Sequence, residues 1–218
     1  MRANGLESCI GNEGTYVQQR VIVGTHVDDL LAIGDKAETL NKLEDGIEES
    51  VELEKRGRPE RILGMELKLE DSSVILTQSH LIESTHQLYS TQFLQYKKLS
   101  LPTNIESFER TNSTDIPRYD KTKYQALVGS LLFIARMTCV EIAIHVNLLG
   151  PLAEDSSTTN YQAVLRVLGY LHSTRSEGVS INKPSYLQLE AYADASYGGP
   201  ESRSQTGVIL TIAQQPIG

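Results

Sequence analysis

The sequence predicts a mixed α/β chain of the α+β kind, with β-hairpins and helices packed beside them. Three observations predict it. Val21-Ile22-Val23-Gly24-Thr25-His26-Val27 is an apolar segment that resumes as Leu30-Leu31-Ala32-Ile33 after a pair of aspartates. Residues Ile62 to Leu69 alternate, with Leu63, Met65, Leu67 and Leu69 on one face and Gly64, Glu66 and Lys68 on the other, as in a half-buried strand. Tyr124, Leu127, Val128, Leu131, Leu132 and Ala135 recur at helical spacing.

In chain order, residues 1 to 20 are polar and supply one short strand near Thr15 to Gln18. The hairpin around Asp28 and Asp29 follows. A helix is expected from Lys36 to Leu53, with Leu40, Leu43, Ile47 and Val51 on its apolar stripe and Gly57 and Pro59 ending it. The strand from Ile62 to Leu69 turns at Glu70-Asp71-Ser72-Ser73 and returns as Val74 to Leu76. A helix from Gln78 to Tyr96 and Pro102 close that unit. Thr103 to Arg118 is polar and reads as a surface linker. Three helices are then expected: the one through Tyr124, a second from Glu141 to Leu149, and a third capped by Thr158 or Thr159 that buries Tyr161, Val164, Leu165, Leu168 and Leu171. Strands at Val179 to Ile181, Leu187 to Ala193 and Val208 to Ile212 complete the chain, with Asp194 to Pro200 as a turn.

Hydrophobic residues make up 39% and charged residues 22% of the 218 positions, the balance of a folded soluble protein. Twenty basic against 28 acidic residues leave a net charge of −8, which argues against a stand-alone nucleic-acid binder, because phosphate contacts need Lys and Arg. Much of the acidity lies in Glu44, Asp45, Glu48, Glu49, Glu52 and Glu54, read as a solvated helix face. Cys9 and Cys139 have no metal-ligand spacing and read as simple thiols in a reducing compartment. With no apolar run of membrane-spanning length and no signal-peptide core, an intracellular location, cytoplasmic or nuclear, and no membrane partner are expected.

Asp28 and Asp29 are the residues that point to chemistry. Apolar strand residues on both sides of an acidic pair push two carboxylates out of a sheet. Such a pair suits a hard divalent cation, and Mg²⁺ is commonly held by one or two carboxylates plus substrate phosphates. His80, His86, His145 and His172 show no metal spacing and read as ordinary surface or core residues. Arg136, Arg166 and Arg175 read as solvated helix faces, with a nucleic-acid backbone contact as the alternative.

The blocks HVDDLLAIGD, ILGMEL, ILTQSHLIE, YQALVGSLLFIARMT, NYQAVLRVLGYLHST and YADASYGG with SRSQTG follow in order, and together this chain resembles the reverse transcriptase/RNase H polyprotein of copia-type retrotransposons. The resemblance implies a partial polymerase palm over 1–102, a linker over 103–118, a helical connector over 119–176 and the start of an RNase H-like sheet over 177–218. It implies RNA-directed DNA synthesis with Mg²⁺, a primer-template and deoxynucleotides. Asp28 would be the principal metal ligand and Asp29 its helper. Asp194 would be the first carboxylate of the RNase H metal site, with a turn-forming aspartate as the plain alternative. Gly64 would either allow close approach to the primer strand or mark a β-bulge.

His26 stands where that family has Tyr, and Cys139-Val140-Glu141 replaces its Arg-Pro-Asp. By the resemblance, the polymerase site would need another carboxylate from an upstream palm strand, which the 27 residues before Asp28 are not expected to supply. The RNase H site would need further carboxylates from later strands and a helix. The expectation is therefore that Mg²⁺ binds weakly and that the chain does not polymerise or cleave nucleic acid by itself. Two functions follow: an enzyme segment active within a longer polyprotein, or a non-catalytic relic that binds other parts of the element's machinery. Exposed strand edges and apolar faces would make the chain poorly soluble.

Overall fold

Backbone pairing and burial in the computed structural model bear out a mixed α+β chain, with three antiparallel sheets and five α-helices among the described residues. It describes residues 5–9, 11–18, 20–55, 57–89, 100–101, 120–155, 157–183, 186, 188–198 and 204–216. The chain divides into two units, Met1–Pro59 and Glu60–Gly218. The linker read at Thr103 to Arg118 and the far half of the helix expected to reach Tyr96 lie outside the described residues.

In the first unit, Glu7–Cys9 (β1), Asn12–Gln18 (β2), Val21–His26 (β3) and Asp29–Gly34 (β4) form a four-stranded sheet in that order. Side chains alternate across a strand, so Val21 and Val23 point to one face and Ile22 to the other. The first face is the core. Ala37–Glu48 (α1) covers it, and Leu43 and Ile47 pack with Leu6, Val21 and Val23. On the opposite face Val17, Ile22 and Ile33 lie side by side in register and are 37%, 51% and 61% exposed.

The helix α1 stops five residues short of the expected Leu53, and Val51 is exposed. Its last turn holds no basic residue, while acids crowd the end where the helix dipole is negative. Lys55 folds back to relieve this: its ammonium lies 3.0 Å from Glu48, 3.7 Å from Asp45 and 3.8 Å from Glu44. The hydrogen bond to Glu48 is the main reason that the ammonium titrates above its usual range.

In the second unit, the expected single strand from Ile62 to Leu69 is a hairpin. Arg61–Ile62 (β5) and Met65–Leu69 (β6) pair across the turn Leu63-Gly64, where both residues take positive φ, 50° and 77°. Gly64 is thus a turn residue and not a bulge; glycine takes this left-handed region without steric cost. Added bulk there would touch the ring of Phe133. Ser73–Thr77 (β7) pairs with β6, and Val179–Asn182 (β8) pairs with β7. The strand at 179–182 therefore joins this hairpin's sheet and not the later strands.

Ser79–Leu88 (α2), Lys121–Met137 (α3), Ala143–Leu149 (α4) and Thr158–Ser173 (α5) build the larger core. Short 3₁₀ turns at Val140–Ile142 and Gly150–Asp155 flank α4. Leu127, Leu131, Ile134, Ile142, Leu149, Val164, Leu168 and Leu171 are fully buried there with Ile82 and Tyr124. The Tyr124 hydroxyl donates to the Leu149 carbonyl at 2.9 Å, and burial pushes its phenol far above its usual range. The N-cap of α5 is Ser157, one residue before the expected Thr158, and its hydroxyl accepts from the Asn160 N–H at 3.2 Å.

Helix α2 has no side-chain cap of its own at Gln78. Glu66, on β6, supplies one: its carboxylate accepts from the His80 N–H and the Thr77 hydroxyl, both at 3.1 Å. Gln78 is buried and accepts from the Thr138 hydroxyl at 2.8 Å, tying the start of α2 to the end of α3.

Leu189–Ser196 (β9), Gln205–Ile212 (β10) and Gln215–Pro216 (β11) form the third sheet in the order β11-β10-β9. Its large apolar residues Leu189, Tyr192, Val208 and Ile209 are at least half exposed. Among the described residues no helix is long and apolar enough to cross a membrane.

Removing the borrowed cap with Glu66→Ala is expected to lower stability by about 1 kcal/mol, the usual worth of an N-cap. Tyr124→Phe, which removes a buried hydrogen bond, is expected to cost about 0.5–1.5 kcal/mol. Urea denaturation monitored by circular dichroism checks both.

Candidate metal-binding hairpin

The β3–β4 pairing carries the acidic pair to a defined place. It runs from Val21 opposite Gly34 to His26 opposite Asp29, leaving Val27 and Asp28 as a two-residue turn. Burial of Val21 and Val23 holds the base of this hairpin in the core, and the tip stands in solvent: His26, Val27, Asp28 and Asp29 are all exposed. Asp28 thus lies in the turn and Asp29 at the first position of β4, neighbours in the chain and both exposed.

Val27 is the strained element. It takes φ 52°, in the left-handed region, and is 89% exposed. That conformation costs an L-residue roughly 1–2 kcal/mol, and a β-branched side chain there is a genuine outlier. No packing of the Val27 side chain offsets this cost. The tight turn is imposed by the strands on either side, and it sets the direction in which the two carboxylates leave the sheet.

Two contacts brace the hairpin. The Thr25 hydroxyl donates to the Gly14 carbonyl on β2 at 3.2 Å. At the other end Arg20 and Asp35 form an ion pair of 2.7 Å, exposed and so worth little in water. His26 and Asp29 are cross-strand neighbours on the same face as Ile22 and Ile33, by the alternation of strand side chains.

Asp194 belongs to the second unit and lies within β9, opposite Gly207 on β10. The expected turn at this residue is corrected: β9 continues to Ser196, and Asp194 is an exposed strand residue. Its Oδ1 accepts from the N–H of Ala195 at 3.0 Å. The Ser204 hydroxyl accepts from the Gly198 N–H at 3.2 Å.

Among the described residues no three His, Cys, Asp or Glu side chains gather closely enough to hold a metal ion. Asp28 and Asp29 fit the part of a Mg²⁺ site that protein commonly provides, two oxygen ligands left open to water and phosphate. Cys139 is buried, and burial raises its thiol above the usual range, as befits an inert core residue. His86 and His172 are distant in the sequence. The fold stacks their rings with centroids 3.7 Å apart, a contact between distant helices that no local spacing signals.

The chain is similar to transposon polyproteins along nearly all of its length. It is 26% identical to the retrovirus-related Pol polyprotein from transposon RE1 of Arabidopsis thaliana over 98% of this chain and 15% of that protein. It is 27% identical to the one from transposon TNT 1-94 of Nicotiana tabacum over 88% of this chain and 15% of that protein. A putative transposon Ty5-1 protein of Saccharomyces cerevisiae is 24% identical over 95% of this chain and 68% of that protein. The resemblance to a copia-type retrotransposon polyprotein read from the sequence is thereby borne out, and the chain spans about one-seventh of the RE1 relative's length. No protein-family model matches the chain. No solved structure matches it either.

Val27→Gly is expected to raise the denaturation midpoint of the chain. It removes a left-handed strain of roughly 1–2 kcal/mol and returns about 0.4–1 kcal/mol through the freer unfolded chain. A lowered midpoint would show that the turn is not strained.

Proposed function

We propose that this chain is the stretch of a retrotransposon polyprotein that carries the metal-gripping hairpin of an RNA-directed DNA polymerase and the first strands of an RNase H-like domain. In this reading 1–102 is palm, 103–118 linker, 119–176 connector and 177–218 RNase H-like. The observation that carries it is the hairpin tip, where Asp28 and Asp29 stand as adjacent exposed carboxylates at the end of a pair of core-anchored strands. Transposon Pol polyproteins that align with almost the whole chain support it.

Asp28 is the principal ligand and Asp29 the second. Bound there, Mg²⁺ would neutralise charge that develops on a transferring phosphoryl group. The protein's part is orientation: the β3–β4 ladder fixes where both carboxylates begin, and the tight turn at Val27 limits how far they can swing. Asp194 is assigned the corresponding part in RNA cleavage, presented from a regular strand beside the bare backbone of Gly207. Deoxynucleotides and a primer-template are the substrates in this reading. The exposed pair alone leaves most of the cation's shell to water, so weak binding by the isolated chain is expected.

A second reading, a non-catalytic protein that binds other polyprotein parts, is favoured by the exposed row Val17–Ile22–Ile33 on the sheet face opposite α1. Primer extension decides between them. A polyprotein that contains this chain is expected to incorporate deoxynucleotides with Mg²⁺. Asp28→Ala should remove several kcal/mol of transition-state stabilisation, on the order of a hundredfold or more in rate. Asp194→Ala should spare synthesis and reduce RNA cleavage. Incorporation unchanged by Asp28→Ala would refute the assignment and leave the binding reading standing.

A further inference from the structure

We propose that the stacked histidines His86 and His172 are an acid-sensitive joint between α2 and α5, closed while the pair carries at most one proton and opened by the second. Their rings lie 3.7 Å apart at centroid with only 13° between the planes. Each is in the last turn of its helix, His86 on α2 and His172 on α5.

Among the described residues one carboxylate, Glu83, serves the cluster. Glu83 Oε2 is 3.0 Å from His172 Nε2 and 3.3 Å from Arg175 Nε, and its Oε1 accepts from the Gln87 amide at 3.2 Å. Among the described residues, the charged and titratable groups that act on the pair are Glu83 from α2 and Arg175 from the turn after α5. The hydrogen bond from Gln87 is the first reason that the Glu83 carboxyl titrates below its usual range, with His172 and Arg175 adding to it. Glu83 therefore stays ionised across the range in which histidines titrate.

Two neutral imidazoles stack without electrostatic cost, and an imidazolium at His172 lies directly against Glu83. A second proton, on His86, places two cationic rings face to face with the Arg175 guanidinium close by. Among the described residues Glu83 is the carboxylate that then faces three cations. Burial is the main cause that holds the His86 ring below its ordinary value of 6.5, with the His172 charge acting in the same direction and Glu83 against it. The neutral ring is thus the form that the fold prefers, and the unfolded chain takes up its proton first. The stabilisation is present above the ordinary histidine value and is lost as pH falls below it.

The joint sits where helix and sheet meet. The Ser79 hydroxyl on α2 donates to the Arg175 carbonyl at 2.7 Å, and the strands β7 and β8 that lead into α2 and out of α5 are paired. Opening the histidine pair would loosen α2 against the end of α5 while the deeper anchor, Ile82, keeps the helix in the core.

The test is an NMR titration of the full chain from about pH 8 to about pH 5, the range in which histidine changes charge, with thermal unfolding recorded at each pH. The His86 ring signals are expected to titrate at lower pH than free histidine, and the melting temperature to fall over the same range. His86→Phe keeps a flat ring on His172 and removes the second proton, so the fall should flatten. Should that variant not fold, His172→Gln keeps an N–H donor toward Glu83 and should flatten the fall in the same way. An ordinary or raised titration of His86, or parallel pH profiles in the wild type and the variant, overturns the proposal.

Discussion

Register in the β3–β4 pair is the constraint on which the candidate site depends. Val21 and Val23 are buried under α1, and because side chains alternate, a slip by one residue would exchange them for Ile22 on the core face. Burying two branched side chains opposes that slip by several kcal/mol. With the register held, the turn can fall only at Val27 and Asp28, and it falls there although Val27 is poorly suited to left-handed backbone. The strain at the tip is thus sustained by hydrophobic burial at the base, an arrangement that places two charged groups in water at the end of a rigid lever.

The larger unit is organised by helices whose polar ends are tied by groups from elsewhere in the chain. Glu66 caps α2 from a neighbouring strand, Gln78 meets Thr138, and the Tyr124 hydroxyl reaches Leu149. These bonds join residues far apart in sequence and give direction to a core that hydrophobic packing alone would leave less specific. The third sheet is different in character. Its apolar residues are largely exposed on β9 and β10, so regular backbone pairing holds it more than side-chain packing does.

Much of this was legible in advance. The hairpin around Asp28 and Asp29 followed from apolar runs on both sides of an acidic pair, and the buried positions of α3 and α5 from helical spacing. The break at Leu63-Gly64 was not, because clean alternation conceals a two-residue turn that reverses the chain without a polar cluster. Asp194 looked like a turn residue because Gly198, Gly199 and Pro200 follow it closely; ladder pairing with Gly207 carries the strand past it. Val179–Asn182 looked like part of the late strands by position, and its partner proved to be β7.

What the sequence determined by itself was local: where apolar faces lie, which helices form, and that two carboxylates stand at a turn between apolar strands. Those features depend on a residue's near neighbours and on the period of the backbone. Only the tertiary structure decided which strand lies beside which, that Glu66 caps a helix it does not belong to, and that His86 stacks on His172. Such contacts join side chains whose separation along the chain carries no signal, and they form because packing the core brings their helices and strands together.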